Sequence, residues 1–117
     1  MVGKRKFVSQ MTDTELHSLL DVVRHLDNPT VSGHAQSKMS LEGVKKRDIA
    51  KVLREGSLVE YNIETGVPRV MVKGDKIAVV VSLETKDVVT VWRERRGHPL
   101  LRERPTRYNE DLEITIP

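Results

Sequence analysis

The period of the apolar residues changes once along this chain, near residue 57, and divides it into a helical half and a stranded half. Thr12 followed by Glu15 is a capping-box pattern, which satisfies exposed amides at a helix start from both directions, so a helix is predicted to begin there. Leu16, Leu19, Leu20, Val23 and Leu26 then recur at three- and four-residue spacing, one apolar stripe ending at the Asn28-Pro29 breaker. Ser32 is placed to cap a short second helix holding His34, Ala35, Lys38 and Met39, with Gly43 near its end because glycine tolerates a left-handed exit. A third helix has Val44, Ile49, Val52 and Leu53 as its inner face and closes at Gly56. Residues 1 to 10 carry charge without periodicity.

From residue 57 the period becomes two, β-branched residues are enriched, and turn signals fall at Thr65-Gly66, Gly74-Asp75 and Thr85-Lys86-Asp87. Four strands are predicted near 57–63, 67–73, 76–83 and 88–93, and connections this short join only antiparallel neighbours. Alternation assigns Val59, Tyr61, Ile63, Val70, Val72, Val79, Val81, Leu83, Val89 and Val91 to the face packed on the helices. Glu60, Asn62, Arg69, Met71, Lys73, Val80, Ser82, Val88, Thr90 and Trp92 then fall on the opposite face, an apolar floor ringed with cations and hydroxyls. That face suits ligand contact, or cover by the C-terminal tail, whose Leu100, Leu101, Leu112, Ile114 and Ile116 need an apolar surface to bury against. A fifth strand and a dimer contact are the other uses open to the tail.

The expected fold class is therefore α+β: two to three N-terminal helices packed on a four-stranded antiparallel meander sheet, with room for an extra C-terminal strand. The 117 residues suit one domain, 1–117, and no repeat or long linker suggests a second. Hydrophobic residues make up 38% of the chain with only four aromatics (one Trp, two Tyr, one Phe), so the core is expected to be aliphatic. The chain has no Cys, which excludes a disulfide framework and thiolate metal sites, and no long apolar run to serve as a signal or membrane span. A cytoplasmic location without a membrane partner is the resulting expectation.

The formal charge is +3, a mild excess, so the placement of the cations matters more than their sum. Lys4, Arg5 and Lys6 form one cluster, Lys45, Lys46 and Arg47 a second, and Arg93, Arg95, Arg96, Arg102, Arg104 and Arg107 a third. Each alone reads as a solvated face, but together they favour a polyanion partner. The second cluster lies toward a helix start, where cations oppose the macrodipole; something other than helix stability then favours them there.

The run His34-Ala35-Gln36-Ser37-Lys38-Met39, the stretch from Val44 to Gly56, and the strands Val79-Val80-Val81-Ser82-Leu83 and Val88-Val89-Thr90-Val91-Trp92-Arg93 together resemble a family of small uncharacterised bacterial and phage domains. That family is grouped with the RelE, ParE and BrnT-like toxin fold, within the class that also holds barnase and colicin ribonucleases. The resemblance covers residues 32 to 93 and leaves the first helix and a basic C-terminal extension, 94–117, outside it. Lys38 stands where the family often has Arg, which keeps the charge and loses the planar fork.

The resemblance implies a metal-independent endoribonuclease of the toxin type, with an antitoxin protein as partner. Such a reaction needs a base for the 2′-hydroxyl, cations for the phosphate charge and an acid for the leaving oxygen. His34 is the candidate acid or base, since histidine titrates nearest neutral pH. Arg69, Lys73 and Arg93 are candidates for the phosphate, Thr90 or Ser82 for orienting it, and Trp92 for stacking a base. Lys38, Lys45, Lys46, Arg47, Arg95 and Arg96 complete the candidate RNA surface. Each has a plainer reading: His34 as a surface or capping residue, Arg69 and Lys73 as solvent-facing strand positions, Trp92 as packing. His34 joins the others only if its helix lies at the sheet edge. The four histidines lack a compact ligand spacing and no glycine-rich phosphate loop is present, so no metal or nucleotide cofactor is expected. The competing reading is a noncatalytic nucleic-acid-binding or protein-interaction module, and a third is an oligomer, for example a homodimer, built on the C-terminal segment.

Overall fold

The computed structural model describes residues 4–94 and 108–117. Helix α1 spans Asp13–Arg24, and the capping box forms as expected: Glu15 N–H donates to Thr12 Oγ1 at 3.1 Å and Thr12 N–H to Glu15 Oε1 at 2.9 Å. Helix α2 spans Gly33–Glu42, started by Ser32, whose Oγ accepts from Ala35 N–H at 3.1 Å, and ended by Gly43 at φ 66°. Helix α3 spans Lys46–Glu55 and buries Ile49, Val52 and Leu53.

Among the described residues, five strands follow one another in space as in sequence, all antiparallel: β1 Arg5–Phe7, β2 Ser57–Asn62, β3 Arg69–Gly74, β4 Ile77–Ser82 and β5 Val88–Arg93. The four-strand meander is present as expected. Strand β1, from the segment without periodicity, adds to its β2 edge; three residues are too few for alternation to register. The C-terminal segment makes one parallel bridge, Arg5 to Tyr108, with Asn109 N–H donating to Arg5 O at 2.7 Å. Among the described residues, the anticipated extra strand is thus a single point of pairing on β1.

The helices pack on one face, around a core that includes Leu19, Val23, Ala35, Leu53, Tyr61, Val70, Val72, Val79, Val81, Leu83 and Val91. Three assignments from alternation, Val59, Val88 and Val89, are corrected. Val59 and Val89 lie on the opposite face with Met71, Ala78 and Val80, while Leu58 and Val88 take the inward positions. The register slips between Leu58 and Glu60 and between Val80 and Val81, and each bulge inserts a residue that reverses the phase of the pleat.

The tail divides between the faces: Leu112, Ile114 and Ile116 pack on the helix-side core, Tyr108 meets Phe7 beside the opposite-face cluster, and Leu100 and Leu101 lie outside the described residues. Among the described residues no helix is long and apolar enough to cross a membrane.

Candidate nucleic-acid interface

Helix α2 lies along the edge strand β5 and is fastened at both ends. At its start, Ser32 N–H and Oγ donate to the carbonyls of Val88 and Val89, both at 3.0 Å, and Val88 N–H donates to Thr30 O at 2.8 Å. At its end, the Arg93 guanidinium donates to the carbonyls of Glu42 at 3.1 Å and Gly43 at 2.9 Å. The edge position on which His34 depended is therefore met. His34 is exposed in the first turn, and Lys38, one turn on, is half-buried and pairs with Glu42 at 3.8 Å. Leu41, 74% exposed, lies seven residues from His34 on the same helical stripe.

The sheet candidates are more dispersed. Arg69 and Lys73 sit at opposite ends of β3, about 13 Å apart along the strand. Thr90 is opposite Val80 and Trp92 opposite Ala78, both on the face away from the helices, and the Trp92 indole packs on the Ala78 and Val80 cluster. Arg69 Nε is buried and has no hydrogen-bond partner, whereas Lys73 is exposed. No hydrogen bond or ion pair among the described residues joins His34 to Arg69, Lys73 or Thr90. Arg95 and Arg96 lie outside the described residues.

Lys45, Lys46 and Arg47 are all exposed at the start of α3, and no ion pair among the described residues engages their side chains. Asp48 accepts from Lys45 N–H at 2.9 Å, the one acidic group in that first turn. Lys46 also stands on the rim of a cleft of about 460 Å³ bounded by Asn28, Pro29, Thr30, Val31, Gln36 and Met39. Cationic side chains, helix-start amides and a concave surface thus adjoin one another.

A second polar cluster escaped the sequence reading. Glu60, 1% exposed, is held by Tyr108, whose hydroxyl donates to Oε2 at 3.1 Å, and by Arg5 at 3.5 Å. Arg5 makes its shorter contacts with Glu64, at 2.9 and 3.0 Å. Burial pushes the Glu60 carboxyl above the usual carboxylate range, outweighing the pull of Arg5 and Tyr108. Burial, with Glu60 beside it, likewise raises the Tyr108 phenol. No local signal marks this group, because its parts come from β1, β2 and the C-terminal segment. Among the described residues, no cluster of three or more histidine and carboxylate side chains is arranged to hold a metal ion.

No family model, curated protein or solved structure matches this chain.

Proposed function

We propose that this domain binds nucleic acid, RNA above all, through the start of α3 and the adjoining outer surface of α2. The observation that carries the reading is the exposed run Lys45-Lys46-Arg47 at a helix start, whose side chains enter no ion pair among the described residues. Three cations there oppose the helix dipole, and a bound phosphate would relieve their mutual repulsion while accepting from the helix-start amides. Lys38 and the exposed His34 extend the surface along α2.

The test is fluorescence anisotropy with single-stranded and duplex RNA over a salt series. Replacing Lys45, Lys46 and Arg47 by Glu is expected to weaken binding at least tenfold and to flatten the salt dependence by about 0.7 per lost contact on a single strand. Unchanged affinity in a folded variant refutes the reading.

A second reading, a toxin-type endoribonuclease restrained by an antitoxin protein, is favoured by one observation: exposed His34 on a helix fastened to the edge strand β5, which carries Thr90 on its other face. The distance between Arg69 and Lys73 counts against a compact catalytic centre. Induced expression in bacteria separates the two readings, since growth arrest with RNA fragmentation that disappears in His34→Ala supports cleavage.

A further inference from the structure

The cleft of about 460 Å³ beside the basic start of α3 has two kinds of lining. Pro29, Val31 and Met39 are half-buried, and Val31 and Met39 pack on the helix-side core, so part of the wall is apolar. Asn28, Thr30 and Gln36 are exposed and supply polar groups. Gln36 Nε2 donates to Val31 O at 3.0 Å, which orients the amide and leaves its Oε1 to accept. The side chains of Asn28 and Thr30 enter no hydrogen bond among the described residues, so an amide and a hydroxyl keep their full bonding capacity for a ligand.

The walls are fixed by the fold itself. Asn28 turns the chain at φ 47°, Thr30 O accepts from Val88 N–H at 2.8 Å, and Val31 forms a parallel bridge with Val88, so the loop 28–31 is held on β5. On the other side, Met39 O accepts from Val44 N–H at 3.0 Å, which ties that wall to the turn leading into α3. A site already shaped costs its ligand little in ordering the protein. Lys46 stands on the rim with Lys45 and Arg47 beside it in the chain, which selects for negative charge next to the cleft.

An apolar wall, a few donors and acceptors, and cations at one rim match a nucleobase joined to its phosphate: flat apolar faces, a polar edge, and a charge at one end. A simple anion would use the cations alone and leave the apolar wall wet. The Met39 thioether is a soft, polarizable surface for an aromatic ring. In a duplex the bases are stacked and paired, so only an unpaired base can enter such a cleft. Resting on the RNA reading above, we propose that the cleft between the 28–31 loop, α2 and α3 seats one unpaired base of single-stranded RNA, with Lys46 on the adjacent phosphate. Met39, Val31 and Pro29 meet the faces of the base, and Asn28, Thr30 and Gln36 Oε1 meet its edge.

The test compares a mixed-sequence RNA single strand with a strand of equal length that keeps the ribose–phosphate backbone and lacks the bases, by fluorescence anisotropy on the full chain. The base-bearing strand is expected to bind roughly two- to tenfold more tightly, the range of a thioether–ring contact. The double variant Asn28→Gly, Thr30→Ala, whose glycine accepts the left-handed backbone, is expected to lose most of that preference while its affinity for the baseless strand stays the same. In methyl NMR of the wild type, the Met39 signal, assigned with Met39→Leu, is expected to move upfield under the ring current of a seated base and to hold its position with the baseless strand. The proposal is overturned if the two strands bind equally, if the Met39 methyl does not respond to bases, or if the double variant keeps the full preference. Equal binding of the two strands removes this proposal alone; failure of either strand to bind at all removes the RNA reading with it.

Discussion

The guanidinium of Arg93, at the end of β5, closes the C-terminus of α2 by donating to the carbonyls of Glu42 and Gly43 at 3.1 and 2.9 Å. Helix-end carbonyls lack intrahelical partners, and a planar fork reaching two of them fixes the helix against the strand. The sequence suggests a phosphate ligand at this position; the geometry engages two of its five N–H donors with the protein itself.

Arg93→Ala is accordingly expected to destabilise the fold by roughly 1–3 kcal/mol, since it removes two charge-assisted hydrogen bonds. Arg93→Lys recovers only part of that, because a single ammonium lacks the fork. Urea unfolding of the three proteins checks both statements.

Gly56 holds its place for reasons of space. A Cβ there would lie 2.5 Å from Val52 O and 2.7 Å from Lys73 O, both rigid backbone atoms where α3 passes into β2. Gly56→Ala is expected to lose roughly 2–4 kcal/mol. At Gly33, whose surroundings are open, the same change is expected to be tolerated in the same unfolding experiment.

Two carboxylates near the β1 edge respond to pH in opposite senses. At Glu15 burial pushes upward, but the Thr12 amide and the Lys6 ammonium, at 2.9 Å, together hold the carboxyl below its usual value. Its contribution is present above the unfolded-state pKa and is lost as pH falls through the lowered folded value. Glu60 is raised, so its contribution is complete below the unfolded-state pKa and is lost as pH rises through the folded value. Thermal melts across pH are expected to show Glu60→Gln more stable than wild type at neutral pH and converging with it in acid. Glu15→Gln is expected to be less stable at neutral pH, with a shallower acid decline.

The basic start of α3 allows function to be separated from stability. Lys46→Glu improves the charge match with the helix dipole, so it is expected to leave the melting temperature unchanged or slightly raised while weakening RNA binding. A loss of both together would indicate that Lys46 serves the fold.

The sequence by itself determined the helices and the meander. The capping box at Thr12, the stripe from Leu16 to Leu26, and the change to period two at residue 57 are local patterns, and the backbone obeys them because each buries one face. The edge position of α2, needed to bring His34 near the sheet, was legible only as a condition. The fastening of Ser32 to Val88 and Val89 met it through contacts more than fifty residues apart in sequence. Tertiary structure alone decided the two bulges, the pairing of β1 with β2, the return of Tyr108 to Glu60, and the packing of Ile114 and Ile116 on the helix-side core. Each depends on which distant backbone supplies a partner, and hydrophobic periodicity, a property of neighbours along the chain, carries no record of that choice.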